Sequence, residues 1–216
     1  MYECADPAAF FASPEFRAGT FYVQDPSTLL APRLLDVRPG ERVADLCAAP
    51  GGKSLLLAEA LAGTGRLLCA DRSPARLQRL RENVLAAWPG TAVLAMDAAA
   101  PALRPGGFDA VLLDVPCSNS GVVRRRPDVR WRFTRENLRD LVRLQAAILD
   151  GAAPLLRPGG RLAYSTCSLE PEEDGEQVRH FLERHPEFRL DAERLLLPAA
   201  RHDGAYAAVL RRSTAI

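Results

Sequence analysis

Two cysteines of this chain lie in segments suited to chemistry. Cys117 belongs to the segment DVPCS at 114–118, and Cys167 belongs to the segment STCS at 165–168. Each segment follows a short, largely apolar run that is typical of a buried strand. Ligands of an open parallel sheet bind in the crevice outside the carboxyl ends of its strands. Two thiols at that edge indicate cysteine chemistry, in which a thiolate acts as the nucleophile.

The alternative for either cysteine alone is packing as a small buried hydrophobe. The chain has five cysteines, an odd number without a Cys-x-x-Cys pair. The cysteines and histidines also do not cluster, so that neither a disulfide framework nor a zinc site is predicted. Cys69 is expected in the core of a strand, and Cys4 lies near the amino terminus.

Aspartates follow the predicted strands in the same way as the cysteines. The residues concerned are Asp45, Asp71, Asp97 and Asp114. A single aspartate at such a position is more often a helix N-cap or a turn residue. Because the carboxyl ends of parallel strands meet at one edge of a sheet, the four together predict a common site.

The loop after the first strand reads DLCAAPGGKS at 45–54. Its small residues and two glycines allow a ligand to approach the backbone, and the helix that follows offers free N–H groups. The glycine spacing fits neither a dinucleotide-binding fingerprint nor a P-loop. Asp71 is placed to bind ribose hydroxyls, and Asp97 is placed to meet an adenine edge. The sequence therefore predicts a cofactor that contains a nucleoside.

Lys53 in this loop is the only lysine among the 28 basic residues, and all the others are arginines. Coding bias towards arginine accounts for such a ratio. The alternative is that a compact amine is needed at this point of the loop, which would place Lys53 in the site.

Periodicity predicts an alternation of strands and helices. Strands are predicted at 43–47, 66–70, 92–95, 108–113, 161–164 and 205–210, and helices at 26–35, 54–62, 74–87, 134–153 and 171–184. This order favours an α/β fold with a doubly wound, largely parallel sheet. Residues 1–25 are expected to form an irregular lead-in, and residues 26–216 are expected to form one domain.

The composition fits one ordinary globular domain. The chain has 216 residues, of which 48% are hydrophobic and 25% are charged. The net charge of +1 is too small to attract a polyanion over the whole surface. A nucleic-acid-binding surface would therefore have to be a local cluster of basic residues. Neither a secretory signal nor an apolar run of membrane-spanning length is found. A cytoplasmic protein without a membrane partner is therefore expected.

A local basic surface is found at 121–145, where eight arginines face three acids. Arg124, Arg125, Arg126 and Arg130 precede Trp131, and arginines beside an aromatic ring suit phosphate contact and base stacking. The alternative is a solvated, arginine-rich loop that runs into a helix.

Three segments together resemble the Sun (RsmB-like) family of RNA cytosine methyltransferases. They are DLCAAPGGK at 45–53, DxPCSxxG at 114–121 and YSTCSL at 164–169. Supporting matches are QD at 24–25, RRxPDxxW at 124–131, EPEE at 170–173 and HDG at 202–204. The departures are Val115 where alanine is usual, Asn119 where glycine is common, and Ala205 and Tyr206 where two phenylalanines are usual.

The resemblance implies a Rossmann-like class I methyltransferase fold with an antiparallel last strand. It also implies that S-adenosylmethionine is the methyl donor and that residues 26–216 form the catalytic domain. The residues implied to contact the cofactor are Cys47, Ala48, Ala49, Pro50, Gly51, Gly52, Lys53, Asp71, Asp97 and Asp114.

Two cysteines suit the reaction of that family. Carbon 5 of cytosine is a poor nucleophile, but addition of a thiolate to carbon 6 produces an enamine whose carbon 5 can attack a sulfonium methyl group. The resemblance assigns Cys167 as the nucleophile, Cys117 to release of the product, and Asp114 to a hydrogen bond with the base. A helix start near Pro171 would favour the thiolate. Glu170, Glu172 and Glu173 would partly oppose that field, and Lys53 in the same pocket would restore it.

The expected substrate is ribosomal RNA, and transfer RNA stays open. A DNA cytosine methyltransferase, with its nucleophile in a Pro-Cys segment such as 116–117, is a second hypothesis. A non-catalytic RNA-binding or assembly module is a third. Single-stranded or loop RNA is favoured because a paired base must be extruded. Members of the resembling family usually carry a further RNA-binding region, of which this chain shows almost none, so a partner protein is expected to supply RNA affinity in its place.

Overall fold

The structure is a computed structural model that describes residues 6–17 and 21–214. Its centre is a seven-stranded sheet. The strands are β1 (Arg42–Asp45), β2 (Arg66–Asp71), β3 (Ala92–Ala95), β4 (Phe108–Asp114), β5 (Leu156–Thr166), β6 (Phe188–Leu196) and β7 (Ala205–Arg212). They lie in the order β3-β2-β1-β4-β5-β7-β6.

Helices cover the sheet and connect its strands. In the described ranges they are α1 (Pro7–Ala12), α2 (Pro14–Arg17), α3 (Leu30–Leu35), α4 (Gly52–Leu61), α5 (Pro74–Ala87), α6 (Val129–Arg132), α7 (Arg135–Ala152) and α8 (Gly175–Arg184). Short 3₁₀ turns cover Pro26–Leu29, Ser120–Val122 and Ala153–Leu155. Within residues 6–17 and 21–214, no helix combines the length and the apolar character that crossing a bilayer requires.

The sheet is doubly wound. β1 pairs with both β2 and β4, so the chain first moves outward to β3 and then returns to the other side of β1. These strands and β5 are parallel, whereas β7 enters antiparallel between β5 and β6. The prediction of a mostly parallel sheet with an antiparallel last strand is confirmed.

Apolar side chains bury both faces of the sheet. Leu112 and Leu113 are neighbours in β4 and enter opposite layers, as the two-residue period of a strand requires. Leu113 packs in the layer that contains Tyr164 and Phe181, and Leu112 packs in the layer that contains Leu57. Cys69 lies in this second layer, as the sequence predicted.

The sequence prediction missed β6. This strand lies at the edge of the sheet and exposes charged side chains such as Arg189 and Arg194. Charged edges protect a sheet from pairing with other chains, and they lack the apolar run by which buried strands are found. The alternation of Phe188, Leu190 and Ala192 was a usable signal, although the register shifts between Leu190 and Ala192.

Other boundaries also differ from prediction. The segment 157–160 was predicted as a turn, but it continues β5, with Gly159 at φ +78°. α8 begins at Gly175 rather than near Pro171, because 171–174 form a turn. The lead-in was expected to be irregular but contains α1 and α2. Cys4 lies outside the described residues.

An ion pair between the buried Arg161 and the partly buried Glu41 joins β5 to the segments before β1. Arg161 is 9% exposed, and its Nη2 donates to Glu41 Oε2 at 2.7 Å. Its Nε donates to the carbonyl oxygen of Leu35, at the end of α3, at 2.9 Å. The Arg161 guanidinium therefore links three parts of the chain, which are the end of α3, the segment that leads into β1, and β5 itself.

We expect Arg161→Met to lower the free energy of unfolding by about 1 to 3 kcal/mol, because the partly buried Glu41 carboxylate loses its charged partner. Urea denaturation measures the loss. Arg38→Met is the matched control, since it removes an exposed pair with Asp36 and should cost less than about 1 kcal/mol. Equal losses in the two variants would contradict the importance of the Arg161–Glu41 pair.

Candidate active site

A cleft of about 540 Å³ opens at the carboxyl ends of the parallel strands. Its volume lies within the range of about 300 to 1,000 Å³ that is typical of ligand sites. The sequence-predicted residues that line it are Cys47, Ala49, Lys53, Asp71, Asp97, Asp114, Cys117, Arg125, Arg126 and Cys167. The structure thus brings the acids and thiols of successive strands together.

The two thiols of the site are in contact, with Cys117 Sγ 3.3 Å from Cys167 Sγ. This contact follows from the sheet register, in which Asp114 of β4 pairs with Ser165 of β5. Cys117 is buried, whereas Cys167 is partly exposed. Cys167 is therefore the more accessible thiol for a substrate in the cleft.

Asn119 links the two cysteine segments. Cys167 Sγ donates to Asn119 Oδ1 at 3.1 Å, and Asn119 Nδ2 donates to the carbonyl oxygen of Cys117 at 2.8 Å. The backbone of Asn119 has φ +63°, a left-handed conformation that glycine adopts freely and asparagine tolerates. In the sequence, Asn119 stands out only as a departure from glycine, and its contact with Cys167 was not predicted.

Two glycines bring three segments of the site close together. Gly121 N donates to the carbonyl oxygen of Cys167 at 2.9 Å, and Gly204 N donates to that of Gly121 at 2.9 Å. A Cβ on Gly121 would lie 2.8 Å from the carbonyl oxygen of Cys167. Side chains at these positions would therefore separate the two cysteine segments.

A buried carboxylate holds the Cys117 loop from behind. Glu173 is fully buried, and its Oε1 accepts from Ser118 N and from Gln145 Nε2, each at 2.9 Å. Gln145 Nε2 also donates to the carbonyl oxygen of Pro116 at 2.9 Å. The residues on both sides of Cys117 are thus fixed by one pair of side chains. Glu173 belongs to the supporting motif EPEE of the sequence, whereas Gln145 looks like an ordinary helix residue and was not predicted in the site.

The surroundings of Cys117 keep its thiol protonated. The hydrogen bond with Cys167 raises the pKa of Cys117 well above its ordinary value, and burial and the Glu173 carboxylate add to the rise. A thiol must lose its proton before it acts as a nucleophile. Cys117 is therefore the less suitable of the two for nucleophilic attack.

Lys53 and Asp114 form the charged pair of the cleft. Lys53 Nζ donates to Asp114 Oδ2 at 2.7 Å, and Ser165 Oγ donates to Asp114 Oδ1 at 2.8 Å. Burial opposes the charge on Lys53, but the attraction of Asp114 outweighs it and raises the pKa of the ammonium group. Cys167 lies near enough to interact with this charge. The structure favours a site role for Lys53 over coding bias.

The far end of the cleft contains Asp71 and Asp97. Asp71 is buried, and its Oδ1 accepts from Ser73 N at 2.9 Å. Arg76 Nη1 lies 3.2 Å from Asp71 Oδ2, and Asp97 is exposed. Arg76 was not predicted in the site, because nothing local to α5 marks it as a cleft residue.

The glycines of the first loop have a packing role that the sequence analysis did not foresee. Gly51 has φ +112°, and a Cβ there would lie 3.0 Å from Val84 Cγ2 in α5. A Cβ on Gly52 would lie 2.8 Å from the ring of Tyr22. The space beside both glycines is therefore filled by the protein itself.

Ala48 and Pro50 tie the same loop to neighbouring elements. Ala48 N donates to the carbonyl oxygen of Ala70 in β2 at 2.9 Å. The carbonyl oxygen of Pro50 accepts from Asn83 Nδ2 at 2.7 Å. The loop is thus held from both sides, by β2 and by α5.

Asp45 is a buried acid beneath the site. Its Oδ2 accepts from Ser54 Oγ at 2.7 Å, whereas its Oδ1 has no hydrogen-bond partner in the described part of the chain. Burial raises the pKa of Asp45 to about 7, against the hydrogen bond from Ser54, and the Asp114 carboxylate adds to the rise. The group is therefore partly protonated near neutral pH.

Two arginines of the predicted RNA surface have partners within the protein. Arg125 pairs with the buried Asp203, and its Nη2 lies 3.7 Å from Asp25 Oδ2. Arg124 Nη1 donates to the carbonyl oxygen of Ala200 at 2.6 Å. Arg124 and Arg125 therefore hold the lead into β7 against the rest of the site, a structural role that the sequence analysis missed.

The other predicted residues of that surface are exposed. Trp131 is 78% exposed in α6, and Arg130 is exposed beside it. Arg126 is also exposed and lines the cleft. These three side chains can reach a ligand outside the protein.

A family model described as 16S rRNA methyltransferase RsmB/F matches residues 32–209. The chain belongs to the RsmB/F family. This confirms the resemblance to the Sun family found in the sequence, and RsmB/F proteins are S-adenosylmethionine-dependent RNA methyltransferases. The chain is 42% identical over 187 residues to the ribosomal RNA small subunit methyltransferase B of Cronobacter sakazakii. The match covers 86% of this chain and 43% of that relative, so the chain spans less than half the relative's length.

Solved structures agree with the RsmB/F assignment. PH0851 has a TM-score of 0.89 at 35% identity, over 94% of this chain and 49% of that chain. NSun6 from Pyrococcus horikoshii, solved with SFG, has a TM-score of 0.85 at 28% identity, over 95% of this chain and 56% of that chain. These likenesses confirm the predicted Rossmann-like methyltransferase fold.

The structure accommodates the other departures from the RsmB/F pattern. Tyr206 Oη donates to Glu193 Oε1 at 2.6 Å, and its ring packs edge-on against Tyr164 with centroids 6.4 Å apart. Val115 is buried in the core. Neither side chain displaces a reactive group of the site.

We expect Glu173→Gln to lower the free energy of unfolding by about 1 to 3 kcal/mol, because the amide turns a donor towards Ser118 N or Gln145 Nε2. Urea denaturation measures the change. Glu172→Gln is the matched control, since Glu172 is the exposed neighbour and its substitution should change stability by less than about 0.5 kcal/mol. A Glu173→Gln protein as stable as the control would contradict the role of this carboxylate.

We expect Asp45→Asn to change how stability depends on pH. A carboxyl whose pKa is raised to about 7 keeps a proton that the unfolded chain releases between pH 4 and 7. The stability of the wild-type protein should therefore fall, relative to that of Asp45→Asn, by up to about 1.4 kcal/mol per pH unit as the pH rises through this window. Urea denaturation at several pH values measures the difference, and a difference that is constant with pH would refute the expectation.

Proposed function

We propose that this chain contains the catalytic domain, residues 26–216, of an RNA 5-methylcytosine methyltransferase that acts on ribosomal RNA. The observation that carries the proposal is the contact of the Cys117 and Cys167 thiols at 3.3 Å beside the Lys53–Asp114 pair. Membership of the RsmB/F family supports the RNA substrate. The relative named ribosomal RNA small subunit methyltransferase B supports the class of RNA.

The cleft fits S-adenosylmethionine, which would supply an electrophilic methyl group. Asp71 and Asp97, at the ends of β2 and β3, offer acceptors for the hydroxyl and amino groups of an adenosine. Asp114 offers negative charge to a sulfonium in the same cleft as the thiols. Residues 47–53 with Asp71, Asp97 and Asp114 are the proposed cofactor-binding residues. Of these, Cys47, Ala49, Lys53 and the three aspartates line the cleft, and the SFG in P. horikoshii NSun6 supports a ligand in this fold.

Cys167 is the proposed nucleophile. It is the more exposed of the two thiols and interacts with the Lys53 ammonium, whereas Cys117 stays protonated. Because α8 begins at Gly175, beyond a turn, the helix start that the sequence predicted near Pro171 is not found there. The Lys53 ammonium, which interacts with Cys167, is the positive charge that supports this assignment.

The reaction uses both thiols in turn. Addition of the Cys167 sulfur to carbon 6 of cytosine leaves an enamine, whose carbon 5 takes up the methyl group. Asp114, oriented by Lys53 and Ser165, hydrogen-bonds ring nitrogen 3 of the base and passes to it the proton that balances addition of the thiolate. A base then takes the carbon 5 proton, the electron pair of that C–H bond re-forms the 5,6 double bond, and the electron pair of the sulfur–carbon bond returns to Cys167 as nitrogen 3 gives back its proton. Cys117 lies beside Cys167 and is proposed to be the base that takes the carbon 5 proton.

RNA is proposed to approach over Arg126, Arg130 and Trp131. Their exposure allows phosphate contact and stacking. Arg124 and Arg125 are also part of the proposed RNA-binding set. Their contacts with Ala200 and Asp203 hold the segment that carries the other three residues in place.

We expect Cys117→Ala to accumulate an RNA–protein adduct, because the bond to Cys167 forms but is not cleaved. The experiment uses S-adenosylmethionine with a labelled methyl group and unmodified ribosomal and transfer RNA pools, and denaturing gels detect label and RNA on the protein. Cys167→Ala should form no adduct and transfer no methyl group. Cys69→Ala, which alters a buried cysteine of β2, should turn over like the wild-type protein.

Other outcomes would select the other hypotheses. An adduct in Cys167→Ala but not in Cys117→Ala would reverse the roles, as in the DNA-type arrangement. An adduct with transfer RNA alone would change the substrate. A wild-type protein that is inactive on both pools and variants that form no adduct would favour a non-catalytic module.

A further inference from the structure

A second cavity of about 360 Å³ adjoins the main cleft. The Cys117 loop, α6 and the beginning of α7 form its walls. The residues that it shares with the main cleft are Cys117, Asn119, Arg126 and Leu144. An RNA chain with one nucleotide at the cysteines can therefore extend directly into this second cavity.

The walls of this cavity combine an aromatic ring with polar groups. Phe133 lines the cavity and is 38% exposed. Thr134 and Asn137 stand beside it at the start of α7, and the buried Val129 and Leu138 add apolar surface. An accessible ring beside hydrogen-bonding groups is the combination that binds bases of single-stranded RNA.

The charges at the cavity suit a phosphate. Arg126 Nη2 lies 3.7 Å and Arg132 Nε lies 3.5 Å from Asp128 Oδ2, and Asp140 pairs with Arg143. Because both acids have arginine partners, they do not present unpaired negative charge to RNA. Arg126 borders both spaces and so stands where the chain of a bound polymer passes from one to the other.

We propose that this cavity binds the nucleotide directly next to the target cytosine, with its base stacked on Phe133 and the phosphate between the two nucleotides at Arg126. Extrusion of the target base leaves its neighbour without a stacking partner, and the Phe133 ring replaces that partner. This inference rests on the proposed function and adds a subsite that recognises RNA beyond the methylated base.

The test uses short single-stranded RNAs with one target cytosine and 2-aminopurine at either the 5′ or the 3′ neighbouring position. Without cofactor, binding of the wild-type protein should change the fluorescence of 2-aminopurine at one of the two positions. Phe133→Ala should abolish this change. Phe11→Ala is the matched control, because Phe11 is another exposed phenylalanine, in α1, outside both cavities, and it should leave the signal intact.

Methyl-transfer kinetics provide the second measurement. Phe133→Ala should raise KM for RNA by about 5- to 100-fold, the effect of losing one stacked base, with kcat at saturating RNA little changed. Phe133→Leu, which keeps an apolar side chain without the ring, should behave in the same way. With an RNA that is abasic at the neighbouring position, the wild-type protein and Phe133→Ala should have the same KM for RNA.

Two results would overturn the subsite. One is an unchanged KM and fluorescence signal in both Phe133 variants. The other is a penalty for Phe133→Ala that persists on RNAs abasic at either neighbouring position, because a merely structural role for the ring would produce it. A wild-type protein that methylates neither these RNAs nor the ribosomal and transfer RNA pools would instead refute the proposed function, so the two failures are distinguishable.

Discussion

The register between β4 and β5 is the constraint on which the site depends. Asp114 pairs with Ser165 across these strands, and the segments beyond them bring Cys117 and Cys167 to 3.3 Å. A shift of one residue would turn every side chain of a strand to the opposite face of the sheet. The apolar side chains of β4 enter two different layers, so such a shift would expose or overfill both. Core packing and the geometry of the thiols are therefore parts of one arrangement.

Buried charges hold the loops that carry the reactive groups. A buried carboxylate is costly unless hydrogen bonds or an opposite charge compensate it. The fully buried Glu173 is compensated by Ser118 N and Gln145. The half-buried Asp114 accepts hydrogen bonds from Lys53 and Ser165. Each of these contacts joins residues that are far apart in the chain. The loops that border the cleft are thus positioned by side chains from several elements, which is how a site built at strand ends becomes rigid.

The same residue type acquires different properties in the two cysteine segments. Cys117 is buried behind Cys167 and near Glu173, and this raises its pKa, whereas Cys167 is partly exposed and interacts with Lys53. Environment rather than residue identity therefore separates a nucleophile from a group that acts later. The proposed subsite at Phe133 extends this arrangement, because its wall is the same loop that carries Cys117.

The sequence by itself determined the α/β class, the alternation of strands and helices, the family, and the residues at the strand exits. These features are local, because strand periodicity and motif spacing depend on neighbouring residues. Only the tertiary structure decided that Asn119 contacts Cys167, that Gln145 fixes the Cys117 loop and that Arg125 is engaged by Asp203. It also revealed β6, whose charged edge position lacks the apolar run of a buried strand. The contacts of Asn119, Gln145 and Arg125 join residues distant in the chain, and one sequence contains no local signal for them. The local signal for β6 was only the alternation of Phe188, Leu190 and Ala192.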